Sequence, residues 1–210
     1  MPSLPTPERG DAGNPARRVL VWRLAEPLLS IASAPHGGGI GPRAWVVNAQ
    51  VPSDYARVDV DEHLGEIATE LGCAGAGVGF LTAASVDAVA ETHDRGVSVF
   101  ATVGLRHPTW AAAPDGADAA APIGTINIVA SVPTRLADAA LVNAVMTVTE
   151  AKTQALLDAG IAGTGTASDA VCVLTPLDGR PEPFAGPRSD IGAALARAVY
   201  GAVTAGSARA

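Results

Sequence analysis

Aromatic residues are scarce in this chain: three Phe, three Trp and two Tyr make up only 4% of its 210 residues. A core with so few rings must be built from Ala, Val and Leu, and the hydrophobic share of 48% shows that enough of them are present. Cysteine is scarcer still. Cys73 and Cys172 lie far apart and outside any C-x-x-C pattern, which excludes a zinc knuckle or a redox pair and reads as two small buried thiols. Positive charge is in deficit, 14 Lys+Arg against 21 Asp+Glu for a net charge of −7, so nucleic acid is not an expected partner. Long apolar runs are missing as well. No stretch approaches the roughly 18 residues of a membrane span, and the Met-Pro-Ser-Leu-Pro-Thr-Pro start has no basic region leading into an apolar one. These absences predict a soluble cytoplasmic protein with no membrane partner. At 17% charged residues the chain is too apolar for disorder, and its length suits one domain with a sizeable core.

Residues 1–17 hold Pro2, Pro5, Pro7 and Pro15 with Gly10, Gly13 and Asn14, and are expected to form a disordered tail before a single domain over 18–210. Strand-forming runs follow at 18–24, 28–33 and 44–48, the last two separated by the glycine-rich stretch Gly37-Gly38-Gly39, a turn or binding loop. Acidic Asp61 and Glu62 open a helix whose Leu64, Ile67, Ala68 and Leu71 share a face and which Gly72 closes. A strand at 78–82 and a hairpin over 86–104, turning at Asp94-Arg95-Gly96, come next. The long loop from Arg106 to Pro122 leads into a strand at 124–132. Leu136 to Ala159 is the strongest helical run, closed by Gly160, with a strand at 168–174 and a helix from Asp190 to Val203 completing the chain. No internal repeat appears. Few helical patterns separate the early strands, so the sheet is expected to be mixed and largely antiparallel, in an α/β (α+β) layered fold.

Chemistry concentrates in the second half. Thr125 follows a glycine at the start of a strand beside the long loop, where a hydroxyl on a rigid element can act as a nucleophile. The helix after it carries an odd set of polar residues, Asn143, Thr149, Glu150, Lys152 and Thr153, in which Glu150 could take a proton and Lys152 could lower a neighbour's pKa. The alternative is a solvated helix face. Thr166, Ser168 and Asp169 place hydroxyls and a carboxylate just before a buried strand, and Arg188 with Ser189 precedes the last helix. The histidines, His36, His63, His93 and His107, share no ligand spacing, so no metal is expected, and no phosphate-binding glycine motif is present.

The runs G-T-I-N-I-V (124–129), A-L-V-N-A-V-M-T-V-T-E-A-K-T-Q-A-L (140–156), T-G-T-A-S-D-A-V-C-V (164–173) and A-G-P-R-S (185–189) together resemble adenosylcobinamide amidohydrolases. Gly37–Gly39, Val47-Asn48, Tyr55 and Gly79-Phe80-Leu81-Thr82-Ala83-Ala84 extend the likeness over about Leu28 to Val203. That resemblance implies hydrolysis of the amide joining aminopropanol to the corrin ring, with the cobalt corrinoid as small-molecule substrate and no separate cofactor. It implies no residue set of its own. Candidate substrate-binding residues are the matched polar positions Asn48, Tyr55, Thr82, Asn127, Asn143, Thr149, Lys152, Thr153, Thr166, Ser168, Arg188 and Ser189.

The same G-T-I-N-I-V run, followed by a long helix and a Ser-Asp strand start, is also similar to the self-cleaving aminopeptidases related to ornithine acetyltransferase. Those enzymes use a Ser or Thr at the strand start as nucleophile on an α-β-β-α sandwich. The likeness makes Thr125 the expected nucleophile, with Glu150 or Asp169 as its base and Asn48, Asn127 or a backbone amide at the oxyanion. Whether the chain is cut before Thr125, giving an α-amine as base, stays open at this point. A related peptide or lactam hydrolase and a non-catalytic corrinoid-binding protein are the other readings, and a homo-oligomer is compatible with either.

Overall fold

A computed structural model describes residues 4–11, 18–116 and 124–210. Eight strands form one sheet: β1 (Glu8–Gly10), β2 (Val19–Ala32), β3 (Gly39–Gln50), β4 (Gly77–Thr82), β5 (Ala90–Asp94), β6 (Val97–Gly104), β7 (Thr125–Ser131) and β8 (Ala170–Thr175). Its order is β4-β3-β2-β8-β7-β6-β5, with β1 pairing on β2. Three helices accompany it, α1 (Val60–Glu70), α2 (Asp138–Asp158) and α3 (Asp190–Ser207). Neighbouring strands run antiparallel except β3 with β4 and β7 with β8. Each of those parallel pairs is joined through a helix, α1 in the first case and α2 in the second. The first crossover runs through the helix expected between the strands at 44–48 and 78–82, and the sheet is mixed and largely antiparallel as expected.

The sheet folds back on itself because β2 is long and irregular. Its pairing with β3 slips between Arg23 and Leu28, where Pro27 has no N–H to give. Before the slip β2 lies beside β1 and β3, and after it Leu29–Ala32 pair with β8. The sequence expectation of two strands, 18–24 and 28–33, is therefore corrected to one strand with an irregular middle.

Alternation along the strands then fills four layers. Val19, Val21, Trp45, Val47 and Ala49 face Leu64, Ile67 and Ala68 of α1. Their neighbours Leu20, Trp22 and Val46 turn inward with Phe80 to meet Phe100, Val129, Cys172 and Leu174. On the far side Val99, Ala101, Ile126, Ile128 and Val173 pack against α2 and α3. The order α1, first β layer, second β layer, α2 with α3 is the layered sandwich expected from sequence.

Part of the expected tail is also structured: Leu4 is buried and β1 pairs with Val19–Val21. Pairing partner and pocket, not local composition, order this segment. Residues 1–3 and 12–17 of that expected tail, and 117–123 of the expected long loop, lie outside the described residues. The glycine-rich loop proves structural, since Gly37 (φ +66°) lies so close to the β4 backbone that a Cβ would stand 1.8 Å from Gly77 O. Of the two thiols, Cys172 is buried and pushed up to about 12 by that burial, whereas Cys73 is only partly covered. Among the described residues no helix is long and apolar enough to cross a membrane.

Phe100 lies edge-on to Trp22 with centroids 5.4 Å apart, so it joins the two β layers at the centre of the inner core. Phe100→Ala is expected to lower unfolding free energy by about 3–5 kcal/mol, measured by urea titration.

Candidate active site

The space between the β layers is apolar in the middle and polar at one end. On β7 the inward positions read Thr125, Asn127, Val129, and opposite them on β3 Asn48 follows Val46. Asn127 Nδ2 donates to Asn48 Oδ1 at 3.0 Å and to Leu81 O at 2.9 Å, and Asn48 Nδ2 donates to Thr102 Oγ1 at 2.9 Å. These bonds satisfy amides that burial would otherwise penalise. They also spend both Asn127 N–H groups, so Asn127 has none left for the oxyanion expected from sequence, and Asn48 is not among the residues that line the adjoining space. Asn127 instead offers the adjoining space an acceptor, Oδ1.

That space is a cavity of about 550 Å³. Thr125 and Asn127 line it from β7, Ser168 and Asp169 from the loop before β8, Thr82 from the end of β4, and Tyr55 and Arg57 from the loop after β3. Val51, Pro52, Phe80 and Ala83 give it apolar walls. Tyr55 is held by a 2.7 Å bond between its hydroxyl and His63 Nδ1, with the rings stacked at 5.5 Å. Arg57 bonds to Asp59 and Glu66, and this pairing holds the Asp59 carboxyl down at about 2.

Thr125 Oγ1 lies 2.6 Å from Ser168 Oγ, which in turn donates to Gly124 O at 3.0 Å. Beside them Asp169 is surrounded by donors. Its Oδ1 accepts from Ile126 N at 2.9 Å and faces Thr166 Oγ1, while Oδ2 accepts from Thr166 N at 3.1 Å and pairs with Lys152 Nζ. Thr166 Oγ1 has a single proton and also lies 2.7 Å from Gly124 O, so the donors that belong to Asp169 alone are the two backbone N–H groups and Lys152. Asp169 lines the cavity beside Thr125, and the hydroxyl partner of Thr125 itself is Ser168 Oγ. Gly165 makes the pairing possible, because a Cβ there would come within 2.3 Å of Asp169 Oδ2 and 2.5 Å of Lys152 Nζ.

The other sequence candidates divide by helix face. Lys152 is buried and points to the site, and Thr153 supports the same loop by donating to Thr164 O at 3.1 Å. Two residues from Lys152, about 200° around the helix, Glu150 is exposed in a groove beside Arg197 and Tyr200. It does not line the cavity, so the expectation that it joins Thr125 is corrected. Thr149 is exposed and bonds Val145 O, Asn143 accepts from Ala185 N at 3.3 Å, Ser189 caps α3, and Arg188 faces solvent. None of these four lines the cavity. Arg57 and Ser33 do line it and escaped the sequence reading. Among the described residues no group of three or more His, Cys, Asp or Glu is placed to hold a metal ion.

A model of the family described as adenosylcobinamide amidohydrolase matches residues 4–210. The chain belongs to that family. Two proteins named adenosylcobinamide amidohydrolase are similar to it. That of Methanosarcina mazei is 32% identical over 178 residues, 80% of this chain and 85% of its own. That of Halobacterium salinarum is 35% identical over 195 residues, 88% and 83% of the two chains. A solved structure from Pyrococcus horikoshii aligns with 96% of this chain and 80% of its own at 13% identity and a TM-score of 0.47, too distant to add to the reading. The match to the adenosylcobinamide amidohydrolase family begins at Leu4, the first described residue and a buried one.

Because Lys152 and Asp169 have little exposed surface, removing one strands the other's charge. Lys152→Met is expected to destabilise the protein by about 3–5 kcal/mol in chemical denaturation. Lys152→Met combined with Asp169→Asn is expected to cost less than the single change, because no buried charge is left unpaired.

Proposed function

We propose that this member of the family hydrolyses the amide between aminopropanol and the corrin ring of adenosylcobinamide, with Thr125 as nucleophile. The observation that carries the assignment is the placement of Thr125: a buried hydroxyl on a rigid strand, opening on a cavity of a size suited to a small molecule and paired with a second hydroxyl. The arm bearing the scissile amide enters the cavity, and the corrin macrocycle rests at its mouth near Tyr55. Asn127 Oδ1 accepts a hydrogen bond from the amide N–H or the aminopropanol hydroxyl.

Thr125 Oγ attacks the amide carbonyl carbon as Ser168 Oγ relays its proton. The carbon–nitrogen bond breaks as the relayed proton reaches the nitrogen, aminopropanol leaves as the neutral amine, and the corrin acid stays as an ester on Thr125. Water then cleaves the ester, releasing adenosylcobyric acid and restoring the hydroxyl. Lys152, Asp169 and Thr166 position these groups without touching the reacting bond. The cobalt belongs to the substrate, and the reaction draws on no resident cofactor. A net charge of −7 supports a small-molecule partner over nucleic acid, and a cytoplasmic location accompanies this reading.

Conversion of adenosylcobinamide to adenosylcobyric acid, followed by chromatography, tests the assignment. Thr125→Val is expected to lose about 10⁴-fold or more in turnover while still binding corrinoid, and Thr125→Ser to retain activity. Glu150→Gln is expected to match the unaltered enzyme. Corrinoid binding without turnover in the unaltered protein favours a binding module instead.

A further inference from the structure

While the scissile amide is intact, the hydroxyl proton of Thr125 has a destination in the departing nitrogen. Once aminopropanol has left, the water that cleaves the ester must give up a proton of its own. The Thr125–Ser168 pair has no base for it, because Ser168 Oγ donates to Gly124 O at 3.0 Å and a peptide carbonyl takes up no proton near neutral pH. Among the described residues that line the cavity, the titratable side chains are Tyr55, Arg57 and Asp169. Arg57 is a fixed cation between Asp59 and Glu66. Asp169 is paired with the Lys152 ammonium and accepts from two backbone N–H groups. Tyr55 is the one joined to an imidazole, through the 2.7 Å bond between its hydroxyl and His63 Nδ1. Imidazole is the side chain whose ordinary pKa falls between 5 and 8.

We propose that Tyr55 is the catalytic base of the ester-cleaving step, with His63 behind it as the group that takes its proton. The proposal rests on the reading of Thr125 as nucleophile and adds the residues that free it again. The water oxygen bonds to the ester carbonyl carbon as one water proton passes to Tyr55 Oη and the Tyr55 proton passes to His63 Nδ1, the unprotonated ring nitrogen in this state. The tetrahedral centre then collapses. Its bond to Thr125 Oγ breaks, the proton of its new hydroxyl reaches Thr125 Oγ through Ser168, and the corrin acid leaves as the carboxylate. His63 returns its proton through Tyr55 to solvent, so one water is consumed and one proton released for each ester cleaved.

The surroundings suit both members of the pair. His63 is buried and does not line the cavity, so it reaches the reaction only through Tyr55. It stands in the first turn of α1, where its N–H bonds to Asp59 O at 3.0 Å. The carboxyls of Asp59 and Glu66, held down chiefly by their bonds to Arg57, are drawn down further by His63, which places the imidazole beside both. Asp61, two residues before it, is bonded instead to His36 at 2.7 Å. A proton arriving on His63 therefore meets two carboxylates against one guanidinium and the helix N-terminus. The loop of Tyr55 is tied to the site as well: Tyr55 N donates to Pro52 O at 3.1 Å, and Val51 N to Thr82 O at 2.9 Å. Just past Thr82, Ala84 Cβ would stand 3.1 Å from a Cβ added at Gly104, which in turn would lie 3.2 Å from Thr125 O. The end of β4 that anchors this loop thus lies against the start of β7.

The test mixes the full-length protein with excess adenosylcobinamide, quenches in acid at successive times, and measures both the aminopropanol released and the corrinoid bound to the Thr125 peptide. Tyr55→Phe is expected to release about one aminopropanol per protein molecule at the unaltered rate, then to turn over about 10²-fold or more slower while the corrinoid ester accumulates on Thr125. His63→Gln keeps an acceptor for the Tyr55 hydroxyl but cannot take its proton. It should show the same early release, slower turnover, and loss of the rise in turnover with pH that the imidazole gives the unaltered protein between about pH 5 and 8. A His63 that only held Tyr55 in place would leave that pH profile unchanged in His63→Gln, and this result overturns the proposal. Undiminished turnover in folded Tyr55→Phe overturns it as well. Slow turnover in Tyr55→Phe with no early release and no accumulated ester, while Thr125→Val is inactive, overturns the role of Tyr55 and leaves Thr125 as nucleophile. Turnover by Thr125→Val, with no corrinoid ester in any variant, overturns both. Circular dichroism checks folding, and His63→Gln with its pH profile carries the test if Tyr55→Phe does not fold.

Discussion

The carboxylate of Asp169 ties together three parts of the chain. It receives the buried ammonium of Lys152 from α2, the N–H of Ile126 at the start of β7, and the backbone of Thr166 in the loop before β8. It adds to the β7–β8 pairing and to the bond from Ser168 to Gly124 O, which set the β7 start against the loop carrying Ser168 at the 2.6 Å approach of Thr125 to Ser168. An ion pair with so little exposed surface carries a desolvation cost that only good geometry offsets. Here the backbone N–H groups of Ile126 and Thr166 share the carboxylate with Lys152, so the site is fixed before substrate arrives, as preorganised catalysis requires.

The layered fold supplies the other half of the design. Two β layers close on Trp22, Phe80 and Phe100, and the apolar filling gives way at one end to Asn48, Asn127, Thr102 and Thr125. Because side chains alternate along each strand, the residues that line this polar end and those that pack against α2 belong to the same strands. Rigidity of the core is thereby passed directly to Thr125. The cavity opens where the strands run out, and the loop after β3 covers it through Tyr55, held by His63.

Much of this was legible in the sequence where local chemistry decides the outcome. Helices α1 and α2 carry periodic apolar positions and end before Gly72 and Gly160, which adopt φ of +66° and +75°. Thr125, Ser168 and Asp169 stood out because hydroxyls and a carboxylate beside strand starts are unusual. What remained hidden depends on partners distant in sequence. A proline-rich start reads as a tail until β2 offers it an edge, and Arg23 to Pro27 reads as a break until β3 carries the strand across it. Spacing on a helix shows that Glu150 and Lys152 point apart, but not which of them faces the sheet. Composition likewise showed a carboxylate at Asp169 and could not show the donors that surround it. Arg57 sits in a loop whose return over the cavity follows only from the α1 crossover.

The central claim is that the corrin acid passes through an ester on Thr125. Quenching the enzyme in acid during turnover, digesting it and locating the corrinoid adduct by mass spectrometry tests this most directly. The account predicts the adduct on the peptide that contains Thr125, attached at its side chain. The same added mass on Ser168, with Thr125 unmodified, would contradict it.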